Sequence, residues 1–172
     1  MINLRDIHKP LSSRGALSFG LLNTRRMVET YPVDLNPDWQ RGHVWTPQQQ
    51  GLFVGHLLEG GEVLPLVVNE GPNGDLIPTQ IIDGKQRMTA AMAWADGEVA
   101  AELGDGRKIR VGDLDDVGRT QCSVSIGLRY AMVRLTRREC LELYIRLNRG
   151  GTVHTDAEID RVRKLLEVEE RT

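Results

Sequence analysis

With 172 residues, 40% apolar and 27% charged, the chain has the composition of one globular domain, long enough to bury roughly 70% of the surface its unfolded form exposes. A formal net charge of −2 leaves no global basic field to hold nucleic acid non-specifically. No apolar run approaches the roughly 20 residues of a membrane span, and residues 1–11 lack the apolar core of a secretory signal, so a cytoplasmic protein is expected.

In chain order, residues 1–17 read as an irregular leader, and 26–36 as a segment holding a short strand anchored by Val28, Tyr31 and Val33. Asn36-Pro37-Asp38 is a loop signal. Thr46 as N-cap, Pro47 at N1 and Gln49 at N3 form a capping box that opens a helix. Leu52, Phe53, His56, Leu57 and Leu58 are its expected inner face, and Gly60-Gly61 stops it. Residues 63–69 read as a buried strand, Asn73-Gly74 as a turn and 76–82 as a second strand, with Pro78 pointing to an edge or bulge.

A helix over 84–96 places Met88, Ala91, Met92 and Ala95 on one face. Residues 98–103 and 107–111 flank Gly104-Asp105-Gly106 as a small hairpin, 113–120 reads as a polar loop, and 123–135 carries a strand with Tyr130, Met132, Val133 and Leu135. Thr136 and Glu139 form a second capping box, with Leu135 and Cys140 as a hydrophobic staple. Leu141, Tyr144 and Leu147 give that helix its buried stripe, and it ends at Asn148-Arg149-Gly150-Gly151. Thr155 and Glu158 form a third capping box before a helix carrying Ile159, Val162 and Leu166. With no repeat, low-complexity tract or linker, the expectation is one α/β domain over residues 1–172 with a mixed sheet.

Cys122 and Cys140 make no disulfide framework, and Cys140 is expected to pack as a small hydrophobe. There is no C-x-x-C, and His8, His43, His56 and His154 are scattered, which argues against a structural zinc site. A Walker A loop and a Gly-x-Ser-x-Gly elbow are both absent. The basic clusters Arg25-Arg26, Arg107-Lys108-Arg110 and Arg137-Arg138 read first as solvated surface.

The segment Ile82-Asp83-Gly84-Lys85-Gln86-Arg87 is chemically the most informative. A strand that turns directly into a helix aims the first-turn N–H groups at one point, where the helix dipole favours an anion. Lys85 and Arg87 add two charges there, which makes phosphate the expected ligand group and a nucleotide its expected source.

Three blocks resemble the N-terminal domain of GmrSD-type restriction enzymes. Residues 37–45, PDWQRGHVW, resemble its PxxQRxxxW block, Asp83-Gly84-Lys85-Gln86-Arg87 its DGQQR motif, and residues 144–152, YIRLNRGGT, its F-x-R-L-N-x-G-G block. Leu57-Leu58-Glu59-Gly60 to Pro65 is similar to its SLLxG…P stretch. The blocks stand in family order across about residues 32–162. The resemblance implies a ParB/sulfiredoxin-like α/β fold, nucleotide binding with NTP hydrolysis (GTP, ATP or CTP), and service in defence against modified foreign DNA. Lys85 departs from the usual Gln and adds a charge to the pocket. No counterpart of the family's His-Asn-His-type nuclease half is found, so DNA cleavage by that route is not expected of these residues.

On the motif, the implied catalytic residues are Asp83, Gln86 and Arg87, and the implied phosphate-binding residues are Gln40, Arg41, Gly84, Lys85, Arg87 and Asn148. Each has a plainer reading. Asp83 holds Mg²⁺ or orients water, or it caps the helix. Gln86 orients water or reads a base, or bonds backbone. Arg87 grips phosphate, or pairs with Asp83. Lys85 meets phosphate or solvent. Gly84 lets a ligand approach, or simply makes a turn. Arg41 is a second clamp or a structural arginine. Asn148 lines the pocket or caps its helix. Trp39 and Trp45 stack on a base or belong to the core, with core favoured for Trp45.

The leading expectation is a nucleotide-binding domain that hydrolyses an NTP. The alternatives are a regulatory module that binds nucleotide or DNA backbone without turnover and, last, a ParB-like DNA nickase. Candidate partners are a nucleotide and, beyond it, DNA, a separate nuclease subunit or further copies of the chain; a membrane is not among them.

Overall fold

The computed structural model describes residues 16–42, 44–148 and 156–169. Seven strands are found there: β1 (Ala16–Gly20), β2 (Val33–Asp34), β3 (Leu66–Asn69), β4 (Thr79–Asp83), β5 (Ala101–Glu102), β6 (Lys108–Ile109) and β7 (Gly127–Val133). The six helices are α1 (Thr24–Thr30), α2 (Pro47–Leu58), α3 (Lys85–Ala95), α4 (Asp116–Val124), α5 (Arg137–Asn148) and α6 (Asp156–Glu169). Five strands form a mixed sheet in the order β1-β7-β3-β4-β2, and β5 and β6 form a separate hairpin. The β1/β7 and β3/β4 pairs are antiparallel, and the β3/β7 and β2/β4 pairs are parallel. The expected mixed α/β architecture is therefore present. Among the described residues, no helix is long and apolar enough to cross a membrane.

The sheet is covered on both faces. Ile81 packs in one apolar cluster with Val54, Leu66, Met88, Ala91 and Trp94, while its neighbour Ile82 packs in another with Trp39, Cys140, Leu141, Tyr144 and Val162. Successive strand side chains point to opposite faces, so β4 needs apolar residues at both positions. Val67 and Val68 on β3 divide between the two clusters in the same way.

Pro78 immediately precedes β4, so the ladder never needs an N–H from it; Thr79 donates instead to Pro32 O at 2.9 Å. The strand itself lies inside the sheet, and the irregularity in its pairing with β3 falls between Val67 and Val68.

The capping boxes of α2 and α5 are present. Gln49 N–H donates to Thr46 Oγ1 at 3.2 Å, and Thr46 N–H to Gln49 Oε1 at 2.9 Å. Thr136 N–H donates to Glu139 Oε2 at 2.9 Å, and Glu139 N–H to Thr136 Oγ1 at 3.3 Å. Leu135 packs against the cluster that contains Cys140, as a staple requires.

Other expectations give way. The buried positions of α2 are Gln50, Gly51, Val54, Gly55 and Leu57, whereas Leu52 is 46% exposed and His56 is exposed. Glycine sets this face: a Cβ at Gly51 would lie 2.4 Å from Ala100 O, and one at Gly55 1.9 Å from Glu102 O, so the helix rests directly on the hairpin backbone. Residues 113–120 are not simply looped, because α4 begins at Asp116, capped by Asp115 Oδ1 accepting from Gly118 N–H at 2.8 Å. The following strand accordingly starts at Gly127, not within 123–126. The short strand expected within 26–36 is present as β2 and includes Val33, but Val28 lies on α1, which ends at Thr30. Ala16 and Leu17, read as part of a leader, begin β1. The readings at residues 1–15, His43, the Arg149-Gly150-Gly151-Thr152 block, His154 and the Thr155 cap lie outside the described residues.

Candidate functional site

At Gly84 the chain passes from β4 to α3 in a single residue. Its φ of 98° is left-handed, and a Cβ there would sit 2.1 Å from Leu66 Cδ2. Only glycine meets both conditions without strain. No side chain from the cap residue closes the α3 terminus, and Met88 N–H to Gly84 O at 2.9 Å is the bond that begins the helical ladder. The N–H groups of Lys85, Gln86 and Arg87 therefore have no acceptor within the helix.

The turn opens on a cleft of about 330 Å³. Residues 82–87 supply one part of the lining, Gln40, Arg41 and Trp45 a second, and α5 contributes Tyr144, Leu147 and Asn148. The three sequence blocks thus converge on one place. Tyr144 and Leu147, read from the sequence only as a buried stripe, line the cleft; Tyr144 is buried as expected, but Leu147 is 42% exposed, and their place inside the third block was the signal. Trp45 packs against the main apolar cluster as expected, its ring 5.4 Å from Phe53, and it also lines the cleft; Trp39 is the fully buried tryptophan of the pair at 1% exposure.

Most of the polar side chains assigned to chemistry are already bonded within the protein. Lys85 is 7% exposed, and its ammonium donates to Asn36 Oδ1 and to Arg41 O, each at 2.7 Å. Burial pushes its pKa down, with Asp34 opposing the shift. Arg87 Nη2 donates to Asp83 Oδ2 at 2.7 Å, and its Nη1 donates to Leu64 O. Gln86 Oε1 accepts from Val44 N–H at 3.1 Å and Trp45 N–H at 3.3 Å, while its Nε2 donates to Gly42 O at 3.1 Å. Gln40 Nε2 donates to Ile81 O and Ile82 O at 3.2 and 2.9 Å, and Asn148 Nδ2 to Tyr144 O at 2.7 Å. Asp83, expected as a helix cap in its plainer reading, is the last residue of β4 and partners Arg87.

The loop carrying Arg41 is fastened from three helices. Besides Lys85 on α3, Arg137 on α5 grips Asp38 at 3.0 and 2.6 Å with its guanidinium 5.6 Å from the Trp39 ring centroid. Arg161 on α6 donates to Trp39 O and Gln40 O at 3.2 and 2.7 Å. Arg41 Nη1 lies 3.9 Å from Glu158 Oε2. Burial raises the Tyr144 phenol pKa, the Arg41 charge opposes the shift, and Glu158 reinforces it.

Among the described residues there is no group of three or more His, Cys, Asp or Glu side chains able to hold a metal ion. Several residues in the basic clusters are also neutralised locally: Arg25 by Asp96, Arg107 by Asp105, Lys108 by Glu102 and Arg138 by Glu142. Fold and site together define a mixed α/β protein with a polar cleft where a strand hands over to a helix. Comparison with known protein families, with curated proteins and with solved structures yields no match.

Proposed function

We propose that this chain is a nucleotide-binding domain of the DGQQR type, whose cleft takes the phosphate oxygens of a nucleoside triphosphate at the N-terminus of α3. The observation that carries the reading is the convergence in one cleft of the open α3 terminus with Arg41. First-turn N–H groups with no acceptor inside the helix and a partial positive charge suit an anion, and Arg41 adds a full charge. Lys85 fixes the Arg41 carbonyl, so it favours the ligand by holding Arg41 and through its field. Trp45, Tyr144 and Leu147 offer apolar surface to the remainder of a nucleotide.

Turnover is the second reading, carried by Asp83, whose carboxylate lines the cleft. One carboxylate suits Mg²⁺, which is commonly held by one or two carboxylates together with phosphate oxygens of the ligand. Such an ion would supply charge neutralisation at the phosphate. Against turnover, Gln86 and Arg87 hold main chain and Asp83, so binding without hydrolysis has the better support. Placement of the chain in a ParB/sulfiredoxin-like family and in defence against foreign DNA rests on the three motif blocks alone.

Thermal unfolding and calorimetric titration with ATP, GTP and CTP, with and without Mg²⁺, test the reading. A ligand at a hundred times its Kd raises stability by about 2.7 kcal/mol, and Arg41→Ala weakens that binding by about tenfold. If no nucleotide raises the melting temperature but duplex DNA does, the cleft reads backbone phosphate. Phosphate release no faster than that of an Arg87→Ala control rejects turnover.

A further inference from the structure

We propose that Glu158 is an internal counter-ion that competes with an anionic ligand for Arg41, making α6 a regulator of the cleft; the inference rests on the nucleotide-binding reading of that cleft. Glu158 and Arg161 stand three positions apart on α6 and so share one helix face. Both reach the same short stretch of loop. Arg161 holds the carbonyls of Trp39 and Gln40 at 3.2 and 2.7 Å, the two residues just before Arg41. Glu158 faces the Arg41 guanidinium at 3.9 Å. On the other side Lys85 holds the Arg41 carbonyl at 2.7 Å. The backbone of residues 39–41 is thus pinned by α3 and α6 together, whereas the Arg41 guanidinium meets Glu158 at the longer distance of an ionic contact.

The contrast in strength gives the device its direction. The carbonyl contacts are short, and each is donated by a charged group. The Arg41–Glu158 pair is long, and its side chains keep 17% and 30% exposure, so it changes an equilibrium by only a few-fold. A ligand phosphate bearing more than one charge draws the guanidinium more strongly than a single carboxylate at that distance. Glu158 therefore holds Arg41 when the cleft is empty, yields it to a polyanion, and lowers affinity for every anion in doing so. Movement of α6 would loosen the competitor and the loop fastening together, because one helix face carries both.

The test titrates the full chain calorimetrically with ATP, GTP, CTP and inorganic pyrophosphate at fixed ionic strength. Glu158→Gln should bind the ligand about threefold tighter than wild type. Glu29→Gln removes one negative charge from an exposed position on α1 and should leave the affinity close to wild type. Most of the Glu158→Gln gain should vanish when Arg41→Ala is compared with the Arg41→Ala/Glu158→Gln pair. If wild type binds but Glu158→Gln binds no tighter, or gains equally without Arg41, the counter-ion role is wrong and the cleft reading survives. If wild type binds none of the four probes, the nucleotide reading falls and takes this inference with it.

Discussion

At Gly84 two independent constraints meet on one atom. The φ of 98° disfavours any L side chain, and the space a Cβ needs is filled by Leu66 Cδ2 at 2.1 Å. Gly84→Ala should therefore cost about 2–4 kcal/mol, from left-handed strain plus overpacking against a buried leucine. A lowered denaturant midpoint with unchanged slope is the expected signature, and wild-type stability in the variant would contradict the turn geometry. The same residue was legible in the sequence, because a strand ending in Asp-Gly before a helical pattern has few other conformations. The charges that follow were less so. The Asp83 partner of Arg87, four residues away, was within reach of a sequence reading, but the other partners of Lys85 and Arg87, namely Asn36, Arg41 and Leu64, lie on other segments that spacing does not reveal. A buried ammonium must be satisfied, and here the fold supplies oxygen acceptors within its own loop.

Among the elements, local chemistry was readable and remote packing was not. Thr46 and Thr136 announce their helices because a capping box needs only residues four apart or fewer. On α2 Phe53, Leu57 and Leu58 face the core as expected, but Leu52 and His56 were misplaced because Gly51 and Gly55 carry no apolar signal, yet the backbone at Ala100 and Glu102 requires them. Helix α4 escaped notice because it buries only Cys122, too little to mark an apolar face. The α5 cap allows a direct measurement. Thr136→Ala removes the oxygen that accepts from Glu139 N–H at 3.3 Å and the hydroxyl that donates to Glu139 Oε2 at 2.9 Å. A loss of about 1 kcal/mol is expected in chemical unfolding. Because α5 carries Tyr144, Leu147 and Asn148 into the cleft from its far end, ligand affinity should change much less than stability does. A large fall in affinity at unchanged stability would mean that the cap does more than start the helix.

Across the whole molecule, the two apolar clusters on the sheet faces decide how the protein responds to alkali. Cys140 is 0% exposed in the cluster beneath α5 and α6, and burial, reinforced by Glu139, lifts its thiol from 9.0 to about 12. The stabilisation from keeping that thiol neutral is complete below the unfolded value and is lost as pH climbs toward the folded one. Through that interval the unfolded chain has released its proton while the native state retains it, so stability falls by roughly 1 kcal/mol per pH unit per such group. Cys122 is shifted in the same direction by burial and acts with the same sign. The Tyr130 and Tyr144 phenols, also raised by burial, join at higher pH. Lys85 works the other way: its pKa is lowered, so native stability recovers as its ammonium discharges. Lys85 and the phenols begin to act within the same alkaline range, so it is the difference in slope between wild type and a Cys140 variant, in urea unfolding between about pH 8 and about pH 10, that isolates the Cys140 thiol. Wild type should lose stability across that range. Cys140→Ala should start about 1 kcal/mol lower because of the small cavity, then decline less steeply because one titrating group is gone. Parallel lines for the two proteins would mean that Cys140 is not sealed within the packed layer joining α5 and α6 to the sheet, the same layer that holds Arg161 and Glu158 against residues 39–41.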